Sequence, residues 1–434
     1  MFPPVLKVDP ATGQNAYRKG SSVSRNPSLE GRAKAKPTKT ADFRLLYAWD
    51  RALPTTETDA EQALSTIAAL SRRGIEVRAL LPRGCKATPP DLDAIHRDYQ
   101  VEGSFALEYA AAPLARWTVS RKLFHAWNVV HHPELAKVDV VYTRNSATCA
   151  LALQRGLPVI YDTYRAWPSH IPLARPFVRH LMSRPNFLGA ILHSDYARES
   201  YLRLGIDSER LLVVRNGYDP SRFAPTLGRS EARRMLGLPQ DRAIVTYTGH
   251  INLLKGLRPV LAMAARCPEV LFLLVGSTGE GAIERSARKM SNVQVLPWQK
   301  YSQVVRYLYA SDVLLIPPSS VPLRLIGHTV LPMKIYNYLA AGRPILAPST
   351  PDVRELLKDG ENAVLVPPGE PQAAALALQD LLHDEVHSSR LASAAAQTAR
   401  GLTWDARAAN IEAFVGARLQ KWRASTGGSA IHRG

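Results

Sequence analysis

The sequence is poor in the features that mark metal-rich, disulfide-bonded or membrane-spanning proteins. Its 434 residues include three cysteines, Cys85, Cys149 and Cys267, which lie far apart and lack the spacing of a metal site. It has no Asp-x-Asp metal motif, no run of about 18 apolar residues that could cross a bilayer, and no apolar signal segment at its start. We therefore expect buried, reduced thiols, no bound metal and a cytoplasmic location.

Acidic residues are also few relative to basic ones. Lys and Arg total 55 against 37 Asp and Glu, which gives a formal net charge of +18 at pH 7. Residues 1–41 hold eight Lys and Arg against two Asp and Glu, so this segment carries +6 and the remainder +12. Such a charge favours anionic partners without choosing among nucleotides, lipid headgroups and nucleic acid. Because residues 1–41 lack hydrophobic periodicity, we predict that they form a disordered basic tail.

The sequence is rich in strand and helix patterns that alternate. Apolar runs such as "FRLLYAW" and "VDVVY" alternate with amphipathic stretches such as "AEQALSTIAALSRRG", and this order predicts parallel, doubly wound α/β sheets. The length suits two domains, and the alternation pauses in a turn-rich connector over residues 216–243, with the domain boundary near residues 216–223. We predict two Rossmann-like domains that face each other across a cleft, over residues 42–217 and 218–405, and a helix over residues 406–434 that crosses back.

Two lysines stand where strands of the second domain are followed by helices. In "YTGHINLLKGLRPVL" the strand ends at Gly249, and Lys255-Gly256 opens the next helix. In "PPSSVPLRLIGHTVLPMKIYNYLAAG" we expect a long loop after the strand end and then a helix whose first turn contains Lys334. The N-terminus of a helix beside a lysine favours an anion, and two lysines at one edge of a sheet suit a diphosphate. The alternative reading of each is a solvated lysine at the start of a helix.

An ordered set of motifs resembles a known family. The run "P-x-K-x-x-x-Y-x-A-A-G-R-P-I-L-A", followed by "ELLKDGENAVLVPPG", resembles the C-terminal signature of the nucleotide-sugar-dependent group 1 glycosyltransferases of the family four type. The segments "TGHINLLKG", "FLLVGSTG", "ILHSDYARESY", "VVRNGYDPSRF" and "TWDARA" agree with it, and the likeness is specific over about residues 138–415. The resemblance implies the GT-B fold and transfer of a hexosyl group with retention of configuration.

The resemblance also implies roles for individual residues. The donor would be a nucleoside-diphosphate sugar held by the second domain, with Lys255 and Lys334 on its diphosphate. The implied donor contacts are Gly249, His250, Trp298, Gly327, His328, Thr329 and Asn337. Among these, Trp298 falls where the family contacts the nucleobase, although a tryptophan packed on its own domain is the alternative.

Several positions depart from the family pattern. Thr329 and Asn337 stand where the family has a pair of glutamates, and Asp162 and Tyr164 replace the usual Glu-x-His of the first domain. A tyrosine, with a pKa of about 10, cannot transfer protons as a histidine does near neutral pH. Two functions stay open: a transferase in which the lysines, Asp162 and Tyr164 serve catalysis without a cofactor, and a non-catalytic nucleotide-sugar-binding protein. Nearby, Thr58 or Asp59 either caps a helix or contacts the acceptor.

Two basic segments with aromatic residues suggest where the protein acts. The segment "LARWTVSRKLFHAWNVVHH" places Trp117, Phe124 and Trp127 at near-helical spacing among basic residues, and "LARPFVRHLMSRP" adds three arginines. Apolar and basic faces together suit an anionic membrane surface, and a core-facing aromatic stripe is the alternative. With the family resemblance, this pattern implies a peripheral enzyme of polysaccharide biosynthesis at the inner face of the membrane, with a lipid-linked or surface-glycan acceptor. No recognised nucleic-acid-binding module occurs, so we expect no nucleic-acid partner.

Overall fold

The computed structural model describes residues 43–55, 58–83, 89–111, 118–326 and 331–426, all within one compact unit. The predicted tail over residues 1–41 lies outside the described residues, and so do Cys85, Trp117, Gly327, His328 and Thr329. Cys149 and Cys267 are buried free thiols, as predicted. No helix in the described ranges is both long and apolar enough to cross a membrane.

The first sheet has seven parallel strands in the order β3-β2-β1-β4-β5-β6-β7. These strands are β1 Arg44–Ala48, β2 Glu76–Pro82, β3 Ala106–Ala110, β4 Val140–Thr143, β5 Val159–Thr163, β6 Phe187–Leu192 and β7 Leu211–Val213. The strands at its centre are almost continuously apolar and buried, because helices cover both faces of a parallel sheet.

The second sheet has six parallel strands in the order β10-β9-β8-β11-β12-β13. These strands are β8 Ile244–Thr248, β9 Leu271–Ser277, β10 Val293–Pro297, β11 Val313–Leu315, β12 Ile345–Pro348 and β13 Val364–Val366. The two parallel sheets confirm the predicted doubly wound α/β class.

Helices connect the strands. Those around the first sheet are α1 Thr58–Arg72, α2 Leu92–Tyr99, α3 Thr118–Val130, α4 Ser146–Gln154, α5 Trp167–His170, α6 Arg175–Met182 and α7 Asp195–Leu202. Those that follow are α8 Arg229–Leu236, α9 Arg258–Ala264, α10 Ala282–Ala287, α11 Tyr301–Ala310, α12 Val321–Ile326, α13 Lys334–Ala341, α14 Pro371–His383, α15 Glu385–Ala399 and α16 Trp404–Thr426.

Two of these helices lie in segments that we expected to be loops. The connector over residues 216–243 contains α8, which ends at Leu236 and is capped by Gly237 with a φ of 64°. The segment after β11 contains α12, whose second residue, Pro322, is tolerated because a helix does not need the first N–H groups. In addition, α9 starts at Arg258, so Lys255 precedes the helix and does not belong to its first turn.

The last helix, α16, packs on the first domain. Its apolar residues, spaced three or four apart, join the same core cluster as α1 and β1; they are Trp404, Ala408, Ile411, Val415, Leu419 and Trp422. The buried Arg407 on this helix donates to the carbonyl of Val214 and to the carboxylate of Asp162. The chain therefore returns to the first domain after completing the second.

Each sheet has one point at which the strand order changes direction. In the first sheet this point lies between β1 and β4, and in the second between β8 and β11. At such a switch point adjacent loops leave on opposite faces of the sheet, and a crevice opens beyond the carboxyl ends of the strands. The topology therefore predicts one ligand crevice in each domain.

Candidate active site

A cavity of about 300 Å³ lies at the switch point of the second sheet. We call it the C-terminal cavity, and it is bounded by the residues that follow β8 and β11 and by the start of α13. Six of the predicted site residues line it: Gly249, His250, Lys255, Trp298, Lys334 and Asn337. The fold therefore brings together residues that lie as many as 88 positions apart in the chain (337 minus 249).

Lys334, the first residue of α13, lies against an aromatic ring. Its Nζ is 3.7 Å from the ring centroid of Tyr247, a cation–π contact. Burial and the nearby charge of Lys255 lower the pKa of Lys334 well below its usual value. Among the described residues, the lysines in ion pairs are Lys122, Lys137 and Lys421, so neither lysine of this cavity has a carboxylate partner.

The loop that carries Lys255 is held by local hydrogen bonds and close packing. The side chain of Asn252 accepts a hydrogen bond from the backbone N of Lys255 at 3.1 Å. Gly256 follows with a φ of 71°, and a Cβ at this position would lie 2.5 Å from the Cβ of Ser319. The glycine therefore allows the turn to press against the loop after β11, which places Lys255 on the cavity wall.

A pair of glycines allows the ends of β8 and β9 to approach each other. Gly249 has a φ of 128°, and a Cβ on it would lie 3.2 Å from the Nζ of Lys334. Gly276 has a φ of 125°, and a Cβ on it would lie 2.5 Å from the carbonyl oxygen of Gly249. Larger residues here would crowd the lysine and separate the strand ends, so both positions require glycine.

Asn337 and Trp298 occupy other parts of the same cavity. Asn337 lies three residues after Lys334 on α13 and therefore on the same side of the helix. Trp298 follows β10, and 44% of its surface is exposed. Part of its ring is therefore accessible from the cavity, which it lines.

The first domain contributes one residue to this cavity that the sequence analysis missed. Glu61 of α1 forms a buried ion pair of 2.7 Å with Arg222, and each side chain is 5% exposed. The Arg222 guanidinium lies 4.3 Å from the ring centroid of Tyr301, which also lines the cavity. An acidic residue in the first turn of a helix is too common to indicate such a contact from sequence.

Asp162 and Tyr164 line a different cavity of about 320 Å³ at the switch point of the first sheet. We call it the N-terminal cavity. It is formed by the residues that follow β1, β4 and β5. The structure therefore does not bring Asp162 and Tyr164 together with the two lysines in one cavity.

Asp162 is fully buried and has three polar partners. Its carboxylate accepts hydrogen bonds from the hydroxyl of Tyr142 and from Arg407 at 2.8 Å, and the Nε2 of His193 lies 2.6 Å away. Burial alone would raise the pKa of Asp162, but His193 and Arg407 hold it well below its usual range. These contacts tie β5 to β4, β6 and α16.

Tyr164 is half-buried beside the same network. Its ring centroid lies 6.3 Å from that of His193 and 5.3 Å from the guanidinium carbon of Arg165. His193 is 4% exposed, and burial lowers its pKa to about 4, so it is neutral at pH 7. His193 follows the end of β6 and is not among the residues that line the N-terminal cavity.

Comparison with known proteins identifies the family. Residues 228–398 match the family of glycosyl transferases group 1, and residues 60–217 match the glycosyl transferase 4-like domain. A D-inositol 3-phosphate glycosyltransferase of Streptomyces avermitilis is 29% identical over 247 residues, which are 53% of this chain and 52% of that protein. The chain thus spans about half the length of the curated relatives it matches.

Solved structures show the same fold. The Anabaena protein HepE in complex with UDP and glucose has a TM-score of 0.64 and 17% identity, with 87% of this chain and 99% of that chain covered. A sucrose-phosphate synthase from Thermosynechococcus elongatus has a TM-score of 0.64 and 18% identity, with 89% and 99% covered. The matched family models and the two doubly wound domains lead to one conclusion: the chain belongs to the group 1 glycosyltransferases and has their GT-B fold.

Proposed function

We propose that this protein transfers a hexosyl group from a nucleoside-diphosphate sugar to a hydroxyl group of an acceptor, with retention of configuration. The observation that carries the proposal is the pair of lysines in the C-terminal cavity, Lys255 and Lys334, which have no carboxylate partner among the described residues. A half-buried ammonium group without a counter-ion is unfavourable, and the effect of Lys255 on the pKa of Lys334 indicates that their charges are close. A bound diphosphate would supply the missing negative charge.

The proposed role of the lysines follows from the negative charge that develops on the leaving diphosphate during transfer. In the transfer, the bond between the anomeric carbon and the diphosphate oxygen breaks, and the acceptor oxygen bonds to that carbon on the same face. The acceptor proton passes to the leaving diphosphate, so the protein needs no strong base of its own. Lys255 and Lys334 stabilise the charge on the diphosphate, and one such donor contributes about 3–4 kcal/mol to lowering a barrier.

The remaining residues of the cavity suit the rest of the donor. Asn337 can donate to and accept from ribose hydroxyls, and it does so without the charge of a glutamate. The exposed ring of Trp298 offers a surface for the nucleobase. Because the solved relative from Anabaena contains UDP, uridine nucleotides are the first donors to test.

Exposed apolar side chains on the first domain support a lipid-linked acceptor and peripheral attachment to a membrane. Trp127 on α3 is 58% exposed and Leu173 before α6 is 95% exposed. Both helices pack on the same face of the first sheet, and both carry basic residues. Trp127 is therefore not part of the core, which supports a membrane-facing surface. Such a surface suits anionic lipid headgroups, to which each nearby Lys or Arg contributes about 1 kcal/mol.

The membrane proposal has its own test. The protein should sediment with vesicles of phosphatidylcholine and phosphatidylglycerol at low salt and dissociate at high salt, and Trp127→Ser should weaken sedimentation. Absence of sedimentation at low salt would reject membrane attachment and leave the transfer reaction unaffected.

The transfer reaction is tested by donor turnover. Wild-type protein should release UDP from one of a panel of UDP-sugars when an acceptor extract is present, and Lys334→Ala should reduce kcat by about 10²–10³. Lys289→Ala removes an exposed lysine of the same domain and serves as the matched control. Tight binding of the donor without turnover by any sugar and acceptor would instead favour a non-catalytic nucleotide-sugar-binding protein.

A further inference from the structure

Gln100, which follows α2 in the first domain, has a backbone conformation that usually belongs to glycine. Its φ of 51° and ψ of 47° are left-handed, and no other non-glycine residue that the structure describes has a positive φ. In this conformation the Cβ crowds the following carbonyl oxygen, so helices commonly end with glycine here. Such strain persists where the surroundings hold it in place, and this directs attention to the side chain of Gln100.

The side chain of Gln100 caps a helix of the other domain. Its Nε2 donates to the Oγ of Ser302 at 3.3 Å, and its Oε1 accepts from the backbone N of Ser302 at 3.2 Å. Ser302 is the second residue of α11, and the side chain of Lys300 makes no capping hydrogen bond to this helix. The carbonyl of Gln100 also accepts from Arg222 at 3.2 Å. Because the first N–H groups of a helix lack partners within it, the first domain here supplies one to the second.

Glu355 makes the converse contact, from the second domain to the first. It follows β12, and its side chain is 12% exposed. Its carboxylate oxygens accept from the backbone N of Asp195 at 3.0 Å and of Tyr196 at 3.2 Å, the first two residues of α7. Arg215 lies 3.5 Å from this carboxylate and 2.6 Å from that of Asp195. A carboxylate at the N-terminus of a helix is favourable, so the second domain caps a helix of the first.

Both caps lie next to residues that line the C-terminal cavity. Tyr301, the neighbour of Ser302, lines this cavity. Asp352 and Val353, which come shortly before Glu355 in the chain, line it as well. The two caps are therefore joined by short segments to the walls of the cavity in which we propose that the donor binds.

The chain itself connects the two domains through one narrow crossing. Its two passages, at residues 216–218 and 402–404, are hydrogen-bonded to each other. The backbone N of Tyr218 donates to the carbonyl of Leu402 at 3.0 Å, and that of Trp404 donates to the carbonyl of Tyr218 at 3.2 Å. Domains joined in this way can change their relative orientation unless other contacts hold them. Contacts outside the crossing, such as the two caps, are therefore needed to fix that orientation.

We propose that Gln100 and Glu355 form a two-cap latch, in which each domain caps a helix of the other and the two caps hold together. The latch fixes the orientation of the domains over the C-terminal cavity. Gln100 and Glu355 are positioning residues and act through the domains that they connect. The purpose of the latch rests on the proposed function, because transfer requires donor and acceptor in one fixed geometry.

The test is hydrogen exchange of the full chain, measured by mass spectrometry of peptides that cover the starts of α7 and α11. Gln100→Gly removes one cap and relieves the backbone strain, so the unfolding midpoint should stay close to that of wild type. Exchange should become faster at α11 and also at the start of α7, about three- to tenfold, the factor that one hydrogen bond is worth. Glu355→Gln should accelerate exchange at both helices in the same way.

A helix cap within one domain provides the matched control. Glu284 is buried, and its carboxylate accepts from the backbone N of Gly281 at the start of α10, at 3.0 Å. Glu284→Gln alters this cap and no contact between the domains, so exchange at α7 and α11 should stay as in wild type. Faster exchange only at the helix whose cap was changed, or equal acceleration in Glu284→Gln, would overturn the inference.

The latch and the proposed function can fail separately. In Gln100→Gly and Glu355→Gln the UDP affinity should stay close to that of wild type, because both lysines of the C-terminal cavity belong to one domain. The kcat of transfer should fall about tenfold or more, because the reacting groups lose their alignment. Wild-type kcat in both variants would overturn the positioning role. Coupled exchange at α7 and α11 in a protein that transfers no sugar would reject the proposed function and leave the latch standing.

Discussion

Lys334 and Tyr247 form a cation–π pair in which the ammonium nitrogen lies 3.7 Å from the centroid of the phenol ring. The hydroxyl of the same tyrosine donates to the carbonyl of His250 at 2.8 Å. Tyr247 therefore positions both the ammonium group and the loop after β8. The ring only partly compensates for the hydration that Lys334 loses, so the free protein carries an unfavourable charge that an anion would stabilise.

Replacement of this lysine should make the ligand-free protein more stable and less able to bind nucleotide. Lys334→Met removes a half-buried charge and keeps an unbranched side chain, so we expect the free energy of unfolding to rise by about 1 kcal/mol. The same change should weaken UDP binding by roughly tenfold or more, because a charge-assisted contact is lost. Guanidinium denaturation and calorimetry measure the two effects, with Lys289→Met as control. Lower stability with unchanged UDP affinity would contradict this account of Lys334.

UDP affinity should depend on pH through Lys334. The pKa of Lys334 is lowered in the free protein, and a bound diphosphate should raise it again. Between these two values the complex holds a proton that the free protein lacks, so affinity should fall as the pH rises through the lowered pKa, by up to about tenfold per pH unit. Calorimetry from about pH 7 upward, where the phosphate is already deprotonated, measures the UDP affinity at each pH. The fall of UDP affinity with pH should be absent in Lys334→Met. An equal fall in that variant would mean that another group causes the pH dependence.

The stability of the ligand-free protein should rise with pH, whereas the UDP affinity falls. Between the lowered pKa of Lys334 and the usual lysine value of about 10.4, the unfolded chain binds a proton that the folded chain does not. The free energy of unfolding should therefore gain a positive contribution as the pH rises through this interval. The difference in stability between wild type and Lys334→Met should accordingly shrink toward high pH, as urea denaturation at several pH values would show.

The buried pair of Glu61 and Arg222 should be sensitive to loss of one partner. Arg222→Met leaves the Glu61 carboxylate buried beside Tyr301 without its cation, and we expect a loss of about 3–5 kcal/mol in the free energy of unfolding. The double variant Glu61→Gln with Arg222→Met should regain a large part of this loss. Chemical denaturation of the four proteins in this cycle measures the coupling, and simple additivity would mean that the two residues do not interact.

Asp162 should stabilise the first domain through its buried partners. Asp162→Asn leaves Arg407 without its carboxylate, so we expect a loss of about 3–5 kcal/mol, with Asp380→Asn as an exposed control. Because the pKa of Asp162 is depressed, its stabilisation is full above the usual carboxyl value of about 3.9 and declines as the pH falls below it. A variant with wild-type stability and no transfer activity would instead favour the catalytic role predicted from sequence.

The fold was largely predictable, and the errors have local causes. Strands buried on both faces carry a strong apolar signal, and both sheets were recognised from it. The helix α8 was missed because it is short and begins among turn-forming residues, with Gly228 as its cap. The helix α12 has only six residues, too few for a clear helical period, and Pro322 is its second residue, where proline is acceptable.

The candidate site was predictable where residues lie in motifs. Lys255, Lys334 and Asn337 follow the ends of strands in the second domain, and the structure places all three in one cavity. Glu61 and Arg222 escaped notice because they lie in different parts of the chain and meet only when the two domains pack.

The sequence by itself determined the class of the protein, because alternating strands and helices and a run of ordered motifs are properties of neighbouring residues. Tertiary structure decided which charged side chains are paired and which are not. Among the residues that the structure describes, Lys334 has no carboxylate partner and Asp162 has three buried polar partners, and both facts depend on distances between segments that are remote in sequence. Electrostatic energy depends on those distances and on burial. Only the folded chain therefore distinguishes a solvated lysine from a half-buried lysine that lacks a counter-ion among the described residues.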